Sequence, residues 1–241
     1  MVPAEISYSQ PRFSWCEALT IYTRPRVIGM MFLGFSAGLP YLLVFSTLTA
    51  WLRDDGVSRS AIGFFAWIGI IYSIKVLWAP VVDRLPLPWA VRFGQRRSWM
   101  LAGQLMIVIG LFTMPVVGSG DLWMLSLVAL LVAFGSATQD IAIDAYRIEA
   151  VIDEYQGAMS ATYIFGYRVA LLVAGAGALY LAEFFNWMFA YQMMAATGLV
   201  GVFTVLIIAE PDKQGRHDDA ERVVSDQIGE GSWQRFVRWF F

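Results

Sequence analysis

Six runs of about twenty residues, apolar through most of their length, divide this chain: 27–51, 61–82, 98–118, 122–142, 158–182 and 187–209. At 1.5 Å per residue, a helix of that length crosses the roughly 30 Å hydrocarbon core of a bilayer. Inside hydrocarbon every backbone N–H and C=O must be satisfied within the protein, and an uncharged run of this length does so as a helix. The sequence therefore predicts an all-α integral membrane protein with six transmembrane helices and the lipid bilayer as its first partner. Composition agrees, since only 15% of residues are charged where soluble domains carry roughly a quarter. The formal charge of −2 comes partly from a polar stretch at 210–230 and provides no basic surface for nucleic acid. Cys16 is the one cysteine, which excludes an internal disulfide and multi-cysteine metal sites. His217 stands alone in KQGRHDDAER, read as a solvated linker. No metal or cofactor is expected.

The first 26 residues lack a secretory pattern: a polar leader precedes an overlong apolar run and no A-x-A site follows, so the first helix is expected to be retained. Lysine and arginine then set the orientation. Arg12, Arg24 and Arg26, Arg84, Arg92, Arg96 and Arg97, Arg147, and Lys213, Arg216, Arg222, Arg235 and Arg238 fall on one side, against Arg53 and Arg59 on the other. Both ends are therefore expected in the cytoplasm. Ser14-Trp15-x-x-Ala18-Leu19-x-x-Tyr22 and Ser232-Trp233-x-x-Phe236-Val237-x-x-Phe240 share an amphipathic spacing behind a serine. Each reads as a short interfacial helix: one within a cytoplasmic segment at 1–26, the other, at 232–241, following a linker at 210–231. Their separation by one six-helix unit matches the parallel repeats of transporter halves, while an ordinary surface helix would give the same pattern.

Several groups interrupt the apolar runs. Gly34, Gly38 and Pro40 cluster in the first, and Pro40 must release a backbone hydrogen bond, so a close-packed, bent helix is expected with Gly38, Pro40 and Pro80 as hinges. Lys75 lies in the second run, Gln139 and Asp140 in the fourth, and Tyr167 and Arg168 near the middle of the fifth. Gly175-x-Gly177 marks close helix approach. A charge near the helix centre costs about 2.5–3.5 kcal/mol even on the lenient insertion scale, so an internal partner or a function is the default explanation. Asp140 and Asp144 face one way, with Gln139 rotated by about 100°. With the fourth run ending near 142, Asp140 is expected in its last turn, and Asp144 with Arg147 at the boundary as an ion pair. Lys75, Asp140 and Arg168 can line a polar cavity for an anionic or sugar-rich solute, or form a structural charge network.

The loop after the second run carries Asp83-Arg84, then Gly94-Gln95-Arg96-Arg97. Glycine permits a tight turn and the arginines can pair with Asp83 or with lipid phosphates. This resembles the loop motif of the major facilitator superfamily, G-x-x-x-D-R-x-G-R-R, stretched by the insert LPLPWAVRF. GFSAGLPYLLVFSTLTAWL, IGFFAWIGIIYSIKVLWAPVVDR, SATQDIAIDAYR and FGYRVALLVAGAGALYLAE resemble AmpG-type muropeptide permeases of that superfamily. The likeness covers about 14–211 and rests on K-x-x-W-[AS]-P-x-x-D and QD-I-x-x-D-A, shared also with acetyl-CoA transporters. It implies proton-coupled import of anhydromuramyl peptides across a bacterial inner membrane for peptidoglycan recycling, a flux that informs β-lactamase induction. By resemblance Lys75, Gln139, Asp140, Tyr167 and Arg168 are candidate solute or proton residues. Asp83, Arg84, Gly94, Arg96 and Arg97 form a gate, to which Asp144 and Arg147 are added. The implied fold is one six-helix half, to be completed by a C-terminal half or a second half-subunit. Two other classes remain: a non-transporting membrane scaffold, and a Mg-dependent prenyltransferase-like enzyme built on Asp140 and Asp144 with Glu149, Asp153 and Glu154.

Overall fold

The computed structural model describes residues 20–88, 90–150 and 155–211. Cys16, Asp153, Glu154, His217 and the amphipathic pattern at Ser232 lie outside these residues, as does most of the pattern at Ser14. Among the described residues six helices are long and apolar enough to cross a membrane: α1 Pro25–Asp54, α2 Arg59–Leu77, α3 Gln95–Val117, α4 Leu122–Glu149, α5 Gln156–Phe184 and α6 Trp187–Ile207. Among the described residues there is no strand. Short polar side chains start three of the helices. Ser58, Asp121 and Asn186 accept the N–H groups of Ala61, Met124 and Phe189 at 3.3, 3.0 and 2.7 Å, which satisfies donors that the first helical turn leaves open.

The interruption of α1 falls at Phe45. Pro40 lies inside an unbroken stretch, Pro25–Val44, and the helix breaks at Phe45 (φ −104°, ψ −82°) before resuming at Ser46. Gly38 is buried against α5, so it serves as a packing contact there. Opposite the break, α5 widens into a π-turn, Val173–Gly177. The Ala174 carbonyl in that turn accepts the Thr47 hydroxyl at 2.8 Å, coupling the two irregular segments. Gly175 contacts Leu42, with a Cβ there 3.1 Å from Leu42 Cδ1, but a Cβ at Gly177 would meet nothing nearer than 3.9 Å. Half of the expected close approach is therefore absent.

Two other boundaries differ from expectation. The segment expected as one helix over 61–82 contains 3-10 turns at Ala66–Gly69 and Lys75–Leu77, and Pro80 sits in the first turn of a separate helix, Ala79–Arg84. Proline lacks the N–H that would continue the ladder, and the first turn is where that lack costs least. At the other extreme, α4 runs on to Glu149. Asp140 is therefore about 13 Å inside the helix end at 1.5 Å per residue, because α4 continues past its apolar run, and not in the last turn of the helix.

Packing is densest between α1 and α5, between α3 and α4, and between α3 and α6. A Cβ at Gly166 would lie 1.9 Å from the Met31 carbonyl oxygen, and one at Gly34 would lie 2.1 Å from that of Tyr163. These glycines let the α1 and α5 backbones touch, the small-residue contact that replaces hydrophobic driving force between helices in lipid. Outward-facing Phe64, Trp67, Phe112, Leu172, Phe203 and Ile207 are exposed and present an apolar surface to hydrocarbon. At one end of the bundle Trp51 stacks on Trp187 with ring centroids 6.3 Å apart, an interfacial aromatic pair. The opposite end gathers Asp83, Arg96, Arg97 and Glu149 and is called the arginine end below.

Candidate transport site and gate

The 3-10 turn at Lys75 and the long α4 bring two charges together deep in the bundle. Lys75 Nζ stands 3.8 Å from Asp140 Oδ2, with the side chains 33% and 21% exposed. Asp140 Oδ1 is buried and has no hydrogen-bond partner among the described residues. The carboxylate is thus held by one cation on one oxygen and keeps acceptor capacity on the other. Aromatic residues surround the pair. Tyr163 and Tyr167 of α5 pack on each other with ring centroids 6.2 Å apart. Tyr72 of α2 packs on Tyr41 and Phe45 of α1, with centroids 6.3 and 5.9 Å apart. On the flank, Trp78 donates its indole N–H to Thr138 Oγ1 at 3.2 Å and lies against Phe134, fixing α2 to α4 one turn beyond Lys75.

Of the other residues the sequence singled out for this cavity, Arg168 projects from α5 as an exposed side chain next to Tyr167 and forms no ion pair among the described residues. Gln139 points elsewhere. Its Nε2 donates to Ser36 Oγ at 2.7 Å, the Ser36 hydroxyl donates to Gln104 Oε1, and Gln104 Nε2 donates to the Gly198 carbonyl at 2.7 Å. All three side chains are buried, and the chain of bonds joins α4, α1, α3 and α6. Sequence reasoning passed over Ser36 and Gln104. An amide in the middle of the uncharged stretch Ser98–Val117 of α3 was the available signal.

The arginine end is organised around Arg96, whose side chain is only 7% exposed. Its Nη1 binds Asp83 Oδ1 and its Nη2 binds Glu149 Oε1, both at 2.6 Å, while Nε donates to Glu149 at 3.1 and 3.2 Å. A planar guanidinium can engage one carboxylate bidentately and still reach a second. The charge-assisted bonds fasten the end of Ala79–Arg84 and the end of α4 to the start of α3. Glu210, just beyond α6, accepts the backbone N–H groups of Arg96 and Arg97 at 2.7 and 3.1 Å, placing an anion on the positive end of a helix dipole. Arg97 answers by donating to the Val205 and Leu206 carbonyls at 2.9 and 2.8 Å, the open acceptors of the last turn of α6. Gly94 has φ +86°, and a Cβ there would stand 2.3–2.6 Å from the Glu210 carboxylate, so both its dihedral and its lack of side chain are needed.

Arg84 is exposed on this end. Asp144 and Arg147 pair at 3.3 Å within α4, apart from the Arg96 cluster. Neither Glu149 nor Glu210 was assigned to the gate from sequence, the first because it sits past the expected helix end and the second because it opens a polar stretch. Pairing of Glu149 with Arg96 removes it from the magnesium arrangement considered above. Among the described residues no group of three or more His, Cys, Asp or Glu is placed to hold a metal ion.

Residues 30–239 match the family described as Major Facilitator Superfamily. The chain belongs to the major facilitator superfamily. Within the superfamily, the chain is 37% identical over 198 residues to the anhydromuropeptide permease of Escherichia coli (strain K12), covering 81% of this chain and 40% of that protein. It is 37% identical over 200 residues to the putative transporter AmpG 4 of Rickettsia felis, covering 80% and 47%. A third relative, the putative transporter AmpG 3 of Rickettsia typhi, is 28% identical over 210 residues, covering 86% and 50%. The chain thus spans two-fifths to one-half of the length of these relatives.

Proposed function

We propose that this chain forms one six-helix half of a proton-coupled importer of anhydromuramyl peptides, in a bacterial inner membrane with both ends in the cytoplasm. The observation that carries the proposal is the Lys75–Asp140 pair, part-exposed at membrane depth, with one carboxylate oxygen unpartnered. A cavity for a sugar-peptide needs cations for its carboxylates and aromatic faces for its rings; Lys75 and Arg168 supply the first, and Tyr41, Tyr72 and Tyr167 the second. Asp140 is the proton-coupling group. When it is charged Lys75 neutralises it, and when protonated it releases Lys75 to a solute carboxylate. Tyr167 precedes Arg168 on α5 and is part-buried where Arg168 is exposed. Gln139 positions α4 through its bond to Ser36. Asp83, Arg84, Gly94, Arg96 and Arg97 gate the cytoplasmic end, with Asp144 and Arg147 at its edge.

A second half, continuing this chain or on another, completes the cavity. The support is that α2 and α5 are the least buried of the six helices and carry Lys75 and Arg168. Left against lipid, each cation would cost about 2.5–3.5 kcal/mol.

The test is uptake of radiolabelled anhydromuropeptide into vesicles from a host lacking its own permease, carrying this chain with the second half of the Escherichia coli relative. Uptake that depends on an imposed proton gradient, and that Asp140→Asn abolishes with normal amounts of protein in the membrane, is the expected result. Normal gradient-driven uptake by Asp140→Asn removes the coupling role. Failure of the unmodified pair to take up the solute removes the substrate assignment.

A further inference from the structure

At the arginine end, the first turns of α1 and the last turns of α6 enclose a groove of about 1140 Å³, closed above by Ala150 and Tyr155. We propose that this groove holds one anionic phospholipid, with its phosphate at Arg24 and an acyl chain laid between α1 and α6. The proposal is independent of the solute and of the Lys75–Asp140 site.

The walls are apolar and face outward: Ile28 and Phe32 from α1, Phe203 and Ile207 from α6, the last two 61% and 82% exposed. The floor has no spare polar group. There Gly29 lies under Ile208, a Cβ at Gly29 standing 3.0 Å from Ile208 Cγ2, and the Thr204 hydroxyl is spent on the Val200 carbonyl at 2.7 Å. A polar solute would find nothing to bind along this length, whereas a hydrocarbon chain is matched throughout. The volume is above the roughly 300–1,000 Å³ typical of pockets for drug-sized ligands, which leaves ample room for an acyl chain.

Charge fixes the headgroup. Arg26 Nη1 is committed to the Ala150 carbonyl at 2.5 Å, capping the end of α4. Arg24 makes no ion pair among the described residues, and its guanidinium carbon lies 4.3 Å from the centroid of the Tyr155 ring. Stacking holds the guanidinium plane while leaving its edge donors free, the arrangement that binds a phosphate. Arg24 immediately precedes α1, so cation and aromatic sit at headgroup level with the apolar groove leading inward. A zwitterionic lipid would fill the groove and also bring a phosphate, but its ammonium sets a second cation near Arg24, so a headgroup with net negative charge answers the arginine better.

The full chain, purified with a mixture of phosphatidylglycerol and phosphatidylethanolamine and released from detergent in a mass spectrometer, reports retained lipid directly. Wild type is expected to retain one phosphatidylglycerol in preference to phosphatidylethanolamine. Arg24→Gln is expected to cut that preference about fivefold, the effect of one basic side chain near a charged surface. Equal retention of the two lipids by wild type, or an unchanged preference in Arg24→Gln, overturns the proposal. Displacement of the lipid by millimolar inorganic phosphate would assign the arginine to free phosphate and overturn it also. A photoreactive benzoylphenylalanine in place of Phe203 keeps Arg24 intact and gives a second reading should the arginine variant fail to fold. Its expected adduct is lipid, and an adduct to residues 1–19 or to a second copy of the chain assigns the groove to a protein segment and refutes the lipid.

Discussion

Replacing Gly166 by alanine tests whether the α1–α5 contact is as close as described. The added Cβ would stand 1.9 Å from the Met31 carbonyl oxygen, 2.8 Å from its carbon and 3.0 Å from the Phe35 nitrogen, where ordinary contact begins at 3.4 Å. All three neighbours are backbone atoms, so no rotamer change relieves the clash and the helices must separate by about 1.5 Å. Overpacking of this kind costs about 1–3 kcal/mol, and the intrinsic preference of a helix for alanine over glycine returns about 0.5–1 kcal/mol. The net expectation is a loss of about 1–2 kcal/mol. Gly177→Ala, on the same helix, adds the same methyl where the nearest atom is 3.9 Å away and should be neutral or stabilising by up to about 1 kcal/mol. Unfolding in mixed micelles on titration with a denaturing detergent, followed by tryptophan fluorescence, measures both variants against wild type. If Gly166→Ala were as stable as Gly177→Ala, the backbone contact between α1 and α5 would be wrong.

Other perturbations separate the remaining groups. Arg96→Met leaves Asp83 and Glu149 without their shared cation and should cost about 2–4 kcal/mol in the same unfolding assay, below the upper range for a broken buried pair because Asp83 is half-exposed; Arg96→Lys, one charge without the fork, should fall between. Glu210→Gln keeps an acceptor but removes the anion from the start of α3, and a loss of about 0.5–1 kcal/mol, diminishing with added salt, is expected; Gly94→Ala should cost more, since it both strains the backbone and strikes that carboxylate. Gln139→Leu should reduce stability by about 1–3 kcal/mol by removing the donor to Ser36 and one arm of a buried network, whereas Asp140→Asn should leave stability close to wild type and abolish gradient-driven uptake. Reporter fusions at Asp55, Asp121 and Phe185 should report the periplasm and those at Gln95 and Gly215 the cytoplasm; a cytoplasmic Asp121 would refute the orientation.

The six helices were legible because each is written locally, in twenty successive residues that share one solvent. The same holds for Asp83 and Arg96, which a short loop brings together. Long-range partners were not. Glu149 reaches Arg96 only because α4 continues for two turns past its apolar window, and no periodicity marks that extension once the helix leaves hydrocarbon. Glu210 reads as the first acid of a polar stretch until the folded chain shows α3 starting beside it. Phe45 is a further case: the sequence drew attention to Pro40, while the helix ladder of α1 is interrupted at Phe45, next to the Thr47 hydroxyl that donates to the Ala174 carbonyl of the α5 π-turn. Local sequence states where a helix can bend, and the neighbouring helix decides where it does.

The adjacent residues Gln139 and Asp140 show how one turn of α4 serves two purposes. A rotation of about 100° sends Gln139 into the bundle, where it is buried with its amide on Ser36, and sends Asp140 toward Lys75 on the part-exposed face. The buried bond fixes the rotation of α4 against α1 through a group that does not titrate. The ionisable group stands on the other side of the helix, where losing its charge changes its relation to Lys75 without breaking any contact that holds the bundle together. A carboxylate in the position of Gln139 would couple every protonation to helix packing, and an amide in the position of Asp140 could not titrate at all. In the proton-coupling role proposed for Asp140, this division would let a proton be taken up or released while the six helices keep their arrangement, with the surfaces of α2 and α5, the least buried of the six helices, left to respond.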